Sequence, residues 1–421
     1  MNLTNWVEEY HKLGAGPWTV ASAPGRVDFL NTHQDYKGLP VIPVAINLHT
    51  YVFGKLWTRD VFRVRSLDLE ALGEEATDTF PIIGGPVQER GWFGNYLRGV
   101  VNVLHKRGLA PRLKGIDVII KSDIPIGSGL ASSAALEVAF ALLLNHVFNL
   151  GYDAKNLAEI AYHAETQEVG VPCGRLDQYG VAFGGIVKLE CRPPYNVEPL
   201  PFTDLTFAII DSGIRHSTGG IHPFRQDDIN RGLMALMESK AVPRGLKARL
   251  GYRYDQPLWE KVSEQDVSPY LSTMDERSAK RILFTLKMHE STETALDLLR
   301  LKTPRRERVV NTLGEKVWEA IMTKPENKRV YWALGEVMNW QHILLRDFYD
   351  VSLPELERIR EAAIEAGAYG VKISGAGMGG SLIALVNNPE AGFKILEDAS
   401  ATGAKRGWVS GVGKGASIIH T

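Results

Sequence analysis

The sequence predicts a two-domain α/β protein. Three observations carry that reading: a length of 421 residues with 44% apolar and 23% charged residues, strand-like and helix-like segments alternating along the chain, and two glycine-rich loops that each follow a strand. A chain of this length buries a large core and exceeds the usual size of one domain. Alternating strands and helices pack as layers of helix on sheet.

The first strand-like segment is Trp18 to Ala23, expected to end in a turn at Pro24-Gly25-Arg26; a second apolar strand spans Val41 to Val52. A loop dense in polar groups separates them. Helical spacing of Tyr96, Leu97, Val100, Val101 and Leu104 predicts a helix over Trp92 to Lys106. Gly115 to Lys121 then alternates as a strand, Asp123 to Gly129 punctuates it, and a long apolar helix begins near Ser132.

Asp153 is a good N-cap for a helix reaching about Glu168, which stops at Gly170-Val-Pro172. The proline-rich stretch from Arg192 to Leu200 is the expected boundary, giving domains 1–200 and 201–421. Leu205 to Asp211 reads as a buried strand, and Asp227 to Asn339 as mainly helical, with Ala241 to Pro269 weakly periodic and read as an insertion. Pro354 to Ala366 is a helix with proline at its start, followed by strand Tyr369 to Ile373, the second glycine loop and strand Ser381 to Val386.

Composition narrows the partners. Lys+Arg 48 against Asp+Glu 49 leaves a formal charge of -1, with no electrostatic footprint for nucleic acid or anionic lipid, so small molecules are expected. Two cysteines, Cys173 and Cys191, make neither a disulfide framework nor a zinc site, which fits a reducing cytoplasm. Met1 to Glu9 carries acids and no apolar core, unlike a signal peptide. The most apolar run, Ala134 to Leu150, is broken by Glu137, Asn145 and His146 and reads as a buried helix rather than a membrane span. No membrane partner is expected.

Three segments are suited to chemistry. In Pro125 to Leu136, Gly127 and Gly129 let backbone N–H groups approach a phosphate chain, the following helix offers its positive end, and Ser132 and Ser133 reach an oxygen or a magnesium ion. A plain strand-to-helix connection has the same Gly-x-Gly. The pattern is neither a Walker loop nor a full dinucleotide fingerprint, because Gly-Lys-Ser/Thr is missing and Ser132 stands at the third glycine. An oxidoreductase reading also needs an acidic residue ending a next strand, and continuous helix occupies that stretch.

Ser374 to Gly380 holds four glycines between two strands, which suits close backbone approach to the same anion and equally a tight hairpin. Gly25 to Gly38 gathers Arg26, His33 and Asp35, able to hydrogen-bond a polyhydroxylated ligand; a solvated loop has similar composition.

Taken together, in this order and spacing, the segments resemble the three motifs of the GHMP kinases, and their details resemble the galactokinase family. The matching residues are Arg26-Val, His33, Asp35-Tyr36 and Gly38; Trp92 with Asn95-Tyr96; Pro172-Cys-Gly-Arg-Leu-Asp177-Gln; Asp211 to His216; and Met338-Asn with Leu345-Arg-Asp347. The likeness runs from about Trp18 to Val386. It implies an N-terminal mixed-sheet domain, a C-terminal ferredoxin-like domain and an active site in the cleft, in a monomer or weak homodimer. The implied reaction is ATP-dependent phosphorylation of the anomeric hydroxyl of galactose or a similar sugar.

The resemblance also implies roles. Asp177 corresponds to the catalytic aspartate, as base or electrostatic organiser, and Arg26 to the arginine facing it. Ser133 and Glu165 correspond to Mg²⁺ ligands, hard oxygens for a hard cation; a capping serine and a solvated helix acid are the plainer alternatives. ATP falls to Gly127, Ser128, Gly129, Leu130, Ala131, Ser132, Ser133, Gly375 and Gly377, with Trp92 and Tyr96 at the adenine pocket or in the core. His33, Asp35 and the backbone of Gly174 correspond to sugar contacts.

The match fails at Thr32, where the family has a glutamate that accepts from the sugar's C6 hydroxyl, and Asn31 and Gln34 replace glycine and threonine. Thr32 between two amides suits a sugar altered at C6, such as galacturonate. No tyrosine occurs in Ile221 to Phe224, where the family supplies one to the sugar. A sugar sensor that binds without turnover is the non-enzyme alternative, separated by measuring ADP release.

Overall fold

A computed structural model describes residues 18–109, 112–215 and 221–419, with the side chains of 221 and 222 excepted. The readings of Met1 to Glu9 and of His216 lie outside these residues.

The strands are β1 (Thr19–Leu30), β2 (Ile42–Leu56), β3 (Val61–Ser66), β4 (Thr77–Pro81), β5 (Ile116–Ser122), β6 (Val187–Leu189), β7 (Val197–Pro199), β8 (Thr206–Asp211), β9 (Gly370–Ser374), β10 (Ser381–Val386), β11 (Arg406–Gly411) and β12 (Ser417–Ile419). The helices that position the site are α1 (Gly94–Lys106), α2 (Ser132–Val147), α3 (Ala154–His163), α4 (Leu176–Phe183), α5 (Ile221–Glu238), α6 (Glu276–Leu301), α7 (Arg329–Ile343), α8 (Pro354–Glu365) and α9 (Pro389–Ala401).

A six-stranded mixed sheet has the order β12-β1-β2-β5-β3-β4, with β3 and β5 the parallel pair. The second sheet, β11-β8-β10-β9, is antiparallel throughout. Its chain order, β8, α8, β9, β10, α9, β11, is that of a ferredoxin-like unit. The final strand, β12, leaves the second sheet and pairs with β1 in the first.

The two sheets share one core. Phe140, Phe207, Leu296 and Ile383 belong to a single buried apolar cluster, and Phe29 of β1 meets Phe207 of β8 edge-on at 5.2 Å between ring centroids. Such contacts fix one sheet against the other, which a cleft site requires. No helix among the described residues is long and apolar enough to cross a membrane.

Several sequence readings shift. Pro24-Gly25-Arg26 does not end the first strand; β1 continues to Leu30, with a register irregularity between Pro24 and Arg26. A bulge absorbs the proline that lacks an N–H, and the glycine admits Leu130 O to 2.9 Å from where a Cβ would stand. The stretch Arg192 to Leu200 is more ordered than its prolines imply, since β7 pairs with β6. Ala241 to Pro269 builds its own small core, with Leu246, Leu250, Trp259 and Val262 packed on Leu233 of α5 and Ile282 of α6.

Candidate active site

The loop between β5 and α2 is shaped for an anion. Gly127 and Gly129 have φ of 69° and 77°, and a Cβ on either would meet nothing within 4 Å. Open space over such residues lets a ligand approach the backbone. Ala131 precedes α2 in a left-handed conformation, and no side chain caps its first turn. The early N–H groups and the positive helix end are thereby offered outward.

The second glycine loop lies beside the first. Ser381 Oγ, at the start of β10, donates to Ser128 O at 2.9 Å. Gly375, with φ of 87° and nothing within 4 Å of a Cβ, is open like Gly127, whereas a Cβ on Gly377 would strike Val351 O at 2.5 Å. Gly375 thus suits ligand approach and Gly377 close packing. β9 and β10 also form the hairpin that was the alternative reading, closed by a six-residue loop, 375–380.

Arg26 ties this loop to a carboxylate. Its Nε and Nη2 donate to Asp177 Oδ1 at 2.9 and 2.6 Å, and its Nη1 donates to Gly129 O at 2.5 Å. The arginine is buried by its place on β1, while the side chain of Asp177, in the first turn of α4, keeps 29% exposure. One guanidinium therefore sets the position of an accessible carboxylate relative to the phosphate-shaped turn.

Behind the start of α2, Ser133 Oγ donates to Glu165 Oε1 at 2.9 Å, and Gln178 Nε2 donates to Glu165 Oε2 at 2.6 Å. Burial, then the charge of Asp177, pushes the Glu165 carboxyl up to about 7. Two adjacent hard oxygens fit Mg²⁺, which takes few protein ligands and completes its shell with phosphates and water; no cluster of three or more His, Cys, Asp or Glu side chains that could hold a metal occurs among the described residues.

In the polar loop after β1, Asn31 and His33 both have φ of 65°. His33 Nε2 meets Ala376 O of the second glycine loop at 3.0 Å. Asp35 is half-buried, loss of solvation raises its pKa, and a Cβ on Gly174 would stand 2.1 Å from Asp35 Oδ2. Only glycine admits that approach. Thr32 Oγ1 accepts from Lys372 Nζ at 2.9 Å, and Lys372 also donates to Asp28 O and Ile373 O at 3.0 and 2.8 Å.

With this geometry in place, three family profiles match the chain. "GHMP kinases N terminal domain" covers residues 95–185, "GHMP kinases C terminal" covers 330–405, and "Galactokinase galactose-binding signature" covers 6–56. The galactokinase of Chloroflexus aurantiacus is 31% identical over 98% of this chain and 96% of that protein, and that of Chloroflexus aggregans is 32% identical over 89% and 85%. This chain belongs to the galactokinase family. Lactococcus lactis galactokinase complexed with galactose shares the fold, with a TM-score of 0.75 at 24% identity over 99% of this chain and 100% of that one.

In this family member a cavity of about 960 Å³ opens beside the first glycine loop, lined among others by Trp92, Tyr96, Ile126, Ser132, Ser133 and Leu136. The wall passes from Ile126 to Ser132, so Gly127 to Ala131 do not line it, and Trp92 and Tyr96 face this space rather than serving only as core. Trp92 Nε1 donates to Asp78 Oδ2 at 3.1 Å, and Arg98 clamps the same carboxylate at 2.8 and 2.6 Å.

Sequence reading gave no role to Asp28, Asp78, Tyr349 and Lys372, and quoted Gln178 only as part of a matching motif. Tyr349 brings an aromatic ring 5.0 Å from His33, although Ile221 to Phe224 holds no tyrosine. A hydrophobic strand reading hid Lys372, whose neighbours in β9 are Val371 and Ile373.

Proposed function

We propose that this protein transfers the γ-phosphate of ATP to the anomeric C1 hydroxyl of galactose or a galactose-like sugar, giving the sugar 1-phosphate and ADP. The observation that carries the reading is the Arg26 bridge, which joins the Asp177 carboxylate to the carbonyl of Gly129 in the phosphate-shaped turn. Asp177 orients the C1 hydroxyl and takes its proton as the oxygen bonds to the γ-phosphorus. The bond from that phosphorus to the β,γ-bridging oxygen breaks, and the bridging oxygen leaves on ADP.

The backbone around Gly127, Ser128 and Gly129 and the α2 N-terminus cradle the phosphates, with Gly375 approaching from the other side. Trp92 and Tyr96 bound the space for the base. Ser133 and Glu165 would hold Mg²⁺, which neutralises charge on the triphosphate when bound. His33, Asp35 and the Gly174 backbone contact the sugar.

A second reading, a sugar altered at C6 such as galacturonate, is favoured by one contact. Lysine has no acceptor, so Thr32 accepts from Lys372 and directs its only proton elsewhere. Position 32 then presents a donor backed by a cation, where a glutamate presents an acceptor. Asp28 offsets part of that charge.

The test is turnover of ATP with galactose, galacturonate, L-arabinose and fucose, the product identified by phosphorus NMR. Phosphate on C1 of one of these is expected. Binding of sugar and ATP with no ADP release contradicts a kinase and leaves a sensor. Galactose used far better than the other three removes the second reading.

A further inference from the structure

Asp28 has no role in the sugar-kinase scheme, yet its placement calls for one. β1 and β2 pair without a register shift from Arg26 to Asp28, so these two residues, two apart on one strand, project from the same face. Arg26 uses that face to reach Asp177. The Asp28 carboxyl therefore lies on the side of β1 that carries the catalytic pair.

Its hydrogen bonding is incomplete. Asp28 is 5% exposed, and its Oδ1 is buried with no hydrogen-bond partner among the described residues. The nearby cation does not fill the vacancy, because Lys372 donates to the main-chain oxygen of Asp28, to Thr32 and to Ile373 rather than to the carboxylate. A buried acceptor without a donor costs free energy and calls for an explanation in a native structure.

The backbone holding it is firmly set. Asp28 N–H donates to Ser374 Oγ at 2.9 Å while its carbonyl accepts from Lys372, so both main-chain groups are pinned to β9. Asp35 of the sugar loop and Asp177 of the reacting centre are both near enough for their charges to act on it.

We infer that Asp28 is a substrate-binding residue, its carboxylate accepting a hydrogen bond from a hydroxyl of the bound sugar. The inference rests on the sugar-kinase reading. It names a chemical requirement: the substrate carries a hydroxyl donor opposite Asp28. If Asp28 serves only to offset the charge of Lys372, its loss changes stability but not the choice among sugars.

The experiment measures binding by calorimetry, without ATP, of the preferred sugar and its monodeoxy analogues to wild type, Asp28→Asn and Asp28→Ser, with melting temperature recorded for each. A charged hydrogen bond of the usual strength makes one monodeoxy analogue bind wild type about ten- to a hundredfold more weakly than the parent sugar. In either variant that penalty is expected to shrink to about threefold or less, the hydroxyl having lost its charged partner. A folded variant with the wild-type deoxy profile and parent affinity overturns the inference and leaves the kinase reading intact. A wild-type protein that binds none of the parent sugars overturns the reading itself.

Discussion

Lys372 Nζ, carried by the second sheet, donates to the Thr32 hydroxyl of the sugar loop at 2.9 Å, and both residues are buried. Replacing Thr32 with Val removes one of three neutral acceptors from a buried ammonium. Unfolding by denaturant is expected to show a loss of about 1–3 kcal/mol. Replacing Thr32 with Glu instead sets an acceptor at the sugar and a carboxylate beside Lys372. Relative kcat/KM for galactose over galacturonate is expected to rise by about tenfold or more, about 1.4 kcal/mol of discrimination. An unchanged ratio disconnects position 32 from C6.

Ser133 and Glu165 share a hydrogen bond of 2.9 Å. Ser133→Ala is expected to raise the Mg²⁺ concentration needed for half-maximal turnover by about an order of magnitude, the usual scale for losing one metal contact. Sugar affinity stays as it was. A metal dependence identical to wild type removes Ser133 from the ligand set.

The orientation of Trp92 depends on the Asp78–Arg98 pair, which holds its indole N–H from inside the protein. Trp92→Phe keeps a ring but loses that tether. The expected result is a severalfold higher KM for ATP with kcat nearly unchanged, because the contact acts on binding rather than on the transferring phosphate. Equal losses in kcat and kcat/KM would instead place Trp92 in the chemical step.

Burial raises the Asp28 pKa to about 6; Lys372 and Arg26 pull it down, while Asp35 and Asp177 add to the rise. The folded protein keeps this proton between the ordinary value of 3.8 and about 6, where the unfolded chain has released it. The contribution of Asp28 to stability therefore falls as pH rises through that window. Sugar affinity has the opposite slope, since the charged acceptor forms only as pH rises through about 6. Asp28→Asn is expected to flatten the stability profile between pH 3.8 and about 6 and the affinity profile at about pH 6. A variant whose affinity keeps the wild-type slope would assign that slope to another group.

Local elements were legible because they are written in adjacent residues. Asp153 caps α3 by accepting from Asn156 N, and the apolar run after Ser132 is α2 itself. The glycine loops were legible for the same reason. What sequence could not display were contacts between distant segments: Asp28 and Lys372 are 344 residues apart, and each reads as an ordinary strand residue until β1 and β9 meet. The strand through Pro24 and Gly25 was missed because two residues that usually break strands here form a bulge, which brings Leu130 O to Arg26 N at 3.1 Å. Local turn chemistry was outweighed by a tertiary contact.

The most direct test of the account is the phosphoryl-transfer rate of Asp177→Asn, measured in single turnovers with saturating ATP and the sugar that wild type phosphorylates at C1. Asparagine keeps the shape but cannot take the hydroxyl proton, and the rate is expected to fall by about 10²–10⁴-fold with the melting temperature near wild type. A folded variant that transfers phosphate at close to the wild-type rate would contradict the role given to the Arg26–Asp177 pair.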